Sequence, residues 1–138
     1  TQVTAVDETT ESEGLHHSII GKDVPSGVMV YRIFGAFFFG AAEKLETALI
    51  RARQEPDVLI LRVRKVIAID ATGLNALESL YEKLRSRGKY LILSGPHTQP
   101  YAMMERAGFL DQIGRENVVG NIDEALARAK EILAQQST

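Results

Sequence analysis

The chain has 138 residues, enough for one domain with a real core but not for two. Its residues are 45% hydrophobic and 25% charged, which excludes wholesale disorder and a collagen-like or coiled-coil composition. With 16 Lys and Arg against 18 Asp and Glu the net charge is -2, so there is no excess positive field to hold a phosphate backbone, and nucleic acid is excluded as a partner.

Residues 1–14 (TQVTAVDETTESEG) carry Asp7, Glu8, Glu11 and Glu13 among Thr and Ser. So few apolar side chains cannot offset the entropy of ordering, and the segment reads as a flexible acidic linker that leaves 15–138 as the folded domain. His17 to Lys22 predicts a short strand, Pro25-Ser26-Gly27 a turn, and Gly27 to Phe39 (GVMVYRIFGAFFF) a second strand, rich in β-branched and aromatic residues, with Gly35 marking a bulge. The two are expected to pair as an antiparallel hairpin. Ala41, Leu45, Ala48, Leu49 and Ala52 then recur at helical spacing, and Pro56-Asp57 ends that amphipathic helix.

Val58 to Val63 (VLILRV) is a near-continuous apolar run of strand length, typical of a central strand with both faces covered. Leu74, Leu77, Tyr81 and Leu84 make a second helical stripe, closed by Ser86-Arg87-Gly88, and Tyr90 to Leu93 is the next buried strand. Pro100 to Ala107 predicts a short helix stopped by Gly108, after which Phe109 and Leu110 return to the core and Val118-Val119 forms a small edge strand. Asn121 followed by Glu124 reads as a capping box, opening a last helix with Ile122, Ala125, Leu126, Ala129 and Leu133 on its apolar side. This order implies an α/β fold: a mixed four- to five-stranded sheet with an initial antiparallel hairpin, parallel crossovers and about four helices.

Cysteine is absent, which removes disulfides, thiol nucleophiles and zinc–thiolate sites and suits a reducing compartment. The longest uncharged, mostly apolar run, Ile33 to Ala42, has 10 residues, half of the roughly 20 that a membrane-spanning helix needs. A chain that opens on Thr without a signal-peptide pattern is expected to be a piece of a longer protein. His16, His17 and His97 have no metal-ligand spacing, GAFFFG lacks the ending of a phosphate-binding loop, and Ser94, His97 and Asp70 lack the nucleophile elbow of a hydrolase. No catalytic, cofactor-binding or metal residue is assigned. Arg32 and Arg62 interrupt otherwise apolar strands, and each either reaches solvent at a strand end or lines a partner-docking face.

The segment with the most functional promise is Ile69-Asp70-Ala71-Thr72-Gly73-Leu74, which joins the end of a buried strand to the start of a helix. Thr72 there is either the helix N-cap or a hydroxyl that a helix N-terminus would let carry a phosphate, with Asp70 adding repulsion.

Asp70-Ala71-Thr72-Gly73-Leu74 resembles the signature of STAS domains, the family shared by anti-sigma factor antagonists and the cytoplasmic tails of SulP-type sulfate and anion permeases. Tyr31-Arg32-Ile33-Phe34-Gly35, followed by Phe38 to Leu45 (FFGAAEKL), is similar to the strand-to-helix passage of the permease branch, and the element order agrees from about His17 to Leu133. The resemblance implies a non-catalytic regulatory domain on the cytoplasmic side of the inner (plasma) membrane, part of an integral membrane transporter, which touches the membrane domain of its own permease or of a neighbouring subunit. Cytoplasmic regulatory proteins and weak nucleotide binding near Asp70 and Thr72 are further partners it implies. The alternative it carries is a free-standing antagonist-type switch, in which Thr72 matches the phosphorylated Ser and the antagonists' Ser pair is Ala71-Thr72.

Overall fold

Among the residues that the computed structural model describes, 2–4, 27–37 and 56–136, all strands lie in one sheet. They are β1 (Gln2–Thr4), β2 (Val28–Phe37), β3 (Val58–Ile69), β4 (Tyr90–Ser94) and β5 (Val118–Val119), side by side in that order. Four α-helices among the described residues accompany them: α1 (Ala71–Ser86), α2 (Thr98–Arg106), α3 (Phe109–Ile113) and α4 (Ile122–Gln136).

β2, β3, β4 and β5 are all parallel. The initial antiparallel hairpin is therefore corrected: among the described residues the antiparallel neighbour of β2 is the three-residue β1, with Val3 opposite Ile33, a strand inside the segment 1–14 that reads in the sequence as a flexible linker. The segment His17 to Lys22, assigned to that hairpin, and the helix expected from Ala41 to Ala52 lie outside the described residues.

The apolar run at Val58 builds the centre of the molecule because strict alternation sends its side chains to two different layers. Leu59, Leu61 and Val63 pack with Leu74, Leu77, Leu80 and Leu84 of α1 and with Met104, Phe109, Leu110 and Ile113 from α2 and α3. Val58 and Ile60 face the other way, where Ile122, Ala125, Leu126, Ala129 and Ile132 of α4 cover them. The small Ala125 and Ala129 let α4 lie close to the strands, and both are wholly buried.

β3 is longer than its apolar run suggests, extending through Lys65 to Ile69. β4 stops pairing with it at Arg62 opposite Ser94, whereas β2 continues alongside as far as Phe37 opposite Ile69. The β2–β3 register slips between Arg32 and Phe34 and again between Gly35 and Phe37, the irregularity that Gly35 signals.

α1 ends in a Schellman turn: Lys89 N–H bonds to the Leu84 carbonyl at 2.8 Å and Gly88 N–H to the Arg85 carbonyl at 3.0 Å. Gly88 supplies the left-handed residue that this turn needs, at φ 74°. α4 opens as its sequence suggests, with Glu124 N–H bonded to Asn121 Oδ1 at 2.9 Å. The Glu124 carboxylate returns to Gly120 N–H at 2.9 Å, one residue earlier than in the usual reciprocal box.

Candidate functional site

β3 delivers its last residue, Ile69, to the rim of the sheet, and α1 starts two residues later. Asp70 between them is extended, at φ -102° and ψ -179°, and its Oδ1 accepts the Gly73 N–H at 2.7 Å while its carbonyl accepts Leu74 N–H at 2.9 Å. Asp70 is thus the N-cap, and the assignment of that role to Thr72 is corrected. A capping side chain must sit on the last non-helical residue and reach forward to a first-turn N–H. Asp70 meets both conditions, and its carboxylate also faces the positive end of the helix. Thr72 already lies inside α1.

Gly73 and Leu74 point inward and are buried, and Leu74 joins the α1-side core. Asp70, Ala71 and Thr72 are exposed, so the signature divides into an anchoring half and a presenting half. What it presents is a secondary hydroxyl in a first helical turn, beside a carboxylate already used for capping. Such a position can take up a phosphoryl group without disturbing the core, although the new charge would lie close to Asp70.

The rim is held by α2. The Gln99 side-chain amide accepts from Ile69 N–H at 2.9 Å and donates to the Ile69 carbonyl at 3.0 Å, and His97 Nε2 meets the Arg64 carbonyl at 2.5 Å. Side chains of the β4–α2 passage therefore satisfy the edge of β3 beyond the point where β4 leaves it. Gln99 went unnoticed in the sequence because a polar residue in a first helical turn carries no sign that its partner is a strand 30 positions away. The residues that could be assembled on paper into a hydrolytic triad are dispersed: Ser94 is buried at 3% exposure, His97 is engaged with Arg64, and Asp70 caps α1.

Arg62 is 8% exposed, its backbone in register with Arg32 and Ser94, and by alternation from Ile60 its side chain lies on the face that α4 covers further along the strands. Neither solvent nor an open docking face surrounds it, which corrects both readings of that residue. Along the last stretch of β3 the exposed residues are Arg64, Lys65, Ile67 and Ala68, with Ile67 at 72%. Among the described residues lie a tight apolar cavity of about 20 Å3 between β3, α1 and α2, and a cleft of about 280 Å3 at the opposite end of the sheet. Asp70 and Thr72 line neither of these two cavities.

Comparison with known families places this geometry. Residues 20–128 match the family model described as STAS domain. The chain belongs to the STAS domain family. This STAS domain is similar to the crystal structure of a sulfate transporter family protein from Wolinella succinogenes, at 44% identity and a TM-score of 0.76, covering 82% of this chain and 93% of that one. It is likewise similar to the SulP transporter STAS domain from Vibrio cholerae, at 31% identity and a TM-score of 0.72, over 90% of this chain and 96% of that one. Among curated proteins it matches sulfate transporter 1.2 of Arabidopsis thaliana, 28% identical over 112 residues, which are 72% of this chain and 17% of that protein. The domain spans about a fifth or less of the length of the curated relatives it matches. With the Bacillus cell fate determinant SpoIIAA it shares the fold alone, at 17% identity and a TM-score of 0.59. No helix among the described residues is long and apolar enough to cross a membrane.

Proposed function

We propose that this STAS domain is the C-terminal cytoplasmic regulatory part of a SulP-type sulfate or anion transporter, and that it modulates transport by touching the membrane domain of its own permease or of a neighbouring subunit. Cytoplasmic proteins are further contacts in this reading. The observation that carries it is the likeness to a SulP transporter STAS domain along nearly the whole of both chains. The exposed half of the signature loop, set on a rim that α2 makes firm, supports a role in contact rather than in conversion of a substrate. The parent gene tests it: the expected finding is upstream coding sequence with several apolar segments of about 20 residues each. An open reading frame that begins just before Thr1 and encodes none of them overturns the proposal.

A second reading, a phosphorylation switch at Thr72, is favoured by one observation, the exposure of that residue in the first turn of α1. Incubation with candidate kinases followed by mass spectrometry tests it, and full phosphorylation of a Thr72→Ala variant rejects Thr72 as the acceptor.

A further inference from the structure

We propose that the cleft at the far end of the sheet from Thr72 is a binding site for a small planar organic anion, a ligand with one aromatic ring and one carboxylate. The cleft holds about 280 Å3 and is formed where the end of α1 and the start of β4 meet α3 and the following turn. That volume is at the lower edge of the roughly 300–1,000 Å3 of drug-sized pockets, so it suits a single-ring molecule.

Its walls have two chemistries. Tyr81 and Tyr90 provide aromatic surface, and Tyr81 is held by an edge-on contact with Phe109 at 5.8 Å and by donating its hydroxyl to the Gln112 carbonyl at 2.8 Å. Tyr90 stands 38% exposed at the mouth. Arg85 and Lys89 provide the charge, and none of the described residues that line the cleft carries a carboxylate. Lys89 shares its ammonium with Asp57 at 3.2 Å, whereas Arg85 has no ion-pair partner among the described residues. Arg85 lies one helical turn after Tyr81, so both side chains leave the same stripe of α1 and line the same cleft.

Two features that would oppose an anion are already engaged within the protein. Two of the terminal carbonyls of α1, on Leu84 and Arg85, accept the N–H groups of Arg87, Gly88 and Lys89, which reduces the open negative end of the helix. The buried Asn117 amide gives its Nδ2 to the Ile113 carbonyl at 2.8 Å and takes Arg128 Nε on its oxygen at 2.7 Å, so it shapes the wall without requiring a polar ligand atom. An inorganic anion would leave the phenol surface unused and a neutral ring would leave Arg85 unpaired. An aromatic carboxylate satisfies both.

The test is a titration of the 138-residue chain with benzoate, acetate and benzyl alcohol, followed through backbone amide resonances. The expected result is a saturable shift of residues 88–91 with benzoate at millimolar concentration, with acetate and benzyl alcohol each binding at least about tenfold more weakly. Arg85→Gln is expected to weaken benzoate by about tenfold, the loss of one charge-assisted hydrogen bond, and to leave benzyl alcohol unchanged. Tyr90→Ala, at the exposed mouth, is expected to weaken benzoate while sparing acetate. Equal responses to benzoate and acetate, no saturable shift at residues 88–91, or unchanged benzoate affinity in Arg85→Gln would each overturn the site.

Discussion

The side-chain amide of Gln99 closes on the backbone of Ile69 as a neighbouring strand would, taking its N–H at 2.9 Å and giving a hydrogen to its carbonyl at 3.0 Å. β4 has already left the sheet seven residues earlier along β3, at Arg62. One side chain thus supplies both ladder bonds at the last residue before Asp70, and the orientation of the signature loop depends on α2.

Replacing Gln99 by Leu keeps some bulk but leaves the Ile69 N–H and carbonyl without that partner. A loss of about 1–3 kcal/mol in urea unfolding is expected, with faster hydrogen exchange at Ile69 than elsewhere in β3. Unaltered exchange at Ile69 would show that the clamp carries no weight in solution.

The capping assignment separates two neighbouring residues. Asp70→Ala is expected to cost about 0.5–2 kcal/mol, because it removes the acceptor for Gly73 N–H. Thr72→Ala is expected to stay within about 0.5 kcal/mol, the usual range of a surface change away from caps and core. Denaturant midpoints of the two variants side by side decide it, and the reverse order would return the cap to Thr72.

Gly27 adopts φ 90° immediately before β2, and a Cβ added there would stand 3.0 Å from Asp57 Oδ2. Its carbonyl accepts both Asp57 N–H at 2.7 Å and Val58 N–H at 3.1 Å, so the turn that opens β2 also positions β3. Gly27→Ala is expected to lower stability by about 1–2 kcal/mol through the left-handed backbone alone, with the crowding at Asp57 adding to it. Thermal unfolding checks the magnitude, and a neutral result would mean that the turn relaxes to negative φ.

Asn117 and Arg128 form a single polar unit between the turn before β5 and α4, joined at 2.7 Å, with Arg128 also reaching Glu131 at 3.1 Å. Either single change, Asn117→Ala or Arg128→Ala, is expected to cost about 1–3 kcal/mol, because each strands a partner with little access to water. The double variant should lose less than the sum, with a coupling of at least about 0.5 kcal/mol in a double-mutant cycle. Strict additivity would show the two residues to be independent.

Much of the architecture was legible in the chain because its signals are local. The run at Val58 declared a doubly covered strand, Leu74, Leu77 and Leu84 marked the buried side of α1, and Asn121 with Glu124 announced α4. Leu80 is as buried as these and was missed, since Tyr81 beside it matched the same helical spacing. The signature pentapeptide located the loop, but the cap within it was misassigned: Asp70 and Thr72 are both good capping residues, and only the backbone angles at residue 70 show where the helix begins.

Composition and periodicity were sufficient to set the fold class and the sites of the main helices in the described residues, because alternation and helical spacing act over a few residues and need no partner to be recognised, while the family was legible only through the resemblance of Asp70 to Leu74 and its flanking passages to a known signature. Strand direction, the early departure of β4, the clasp of Gln99 on Ile69 and the burial of Arg62 depend on which distant segments come to lie side by side. Each is a pairing of backbone or side-chain groups far apart in the chain, and such a pairing acquires its energy only when folding has removed the water between them.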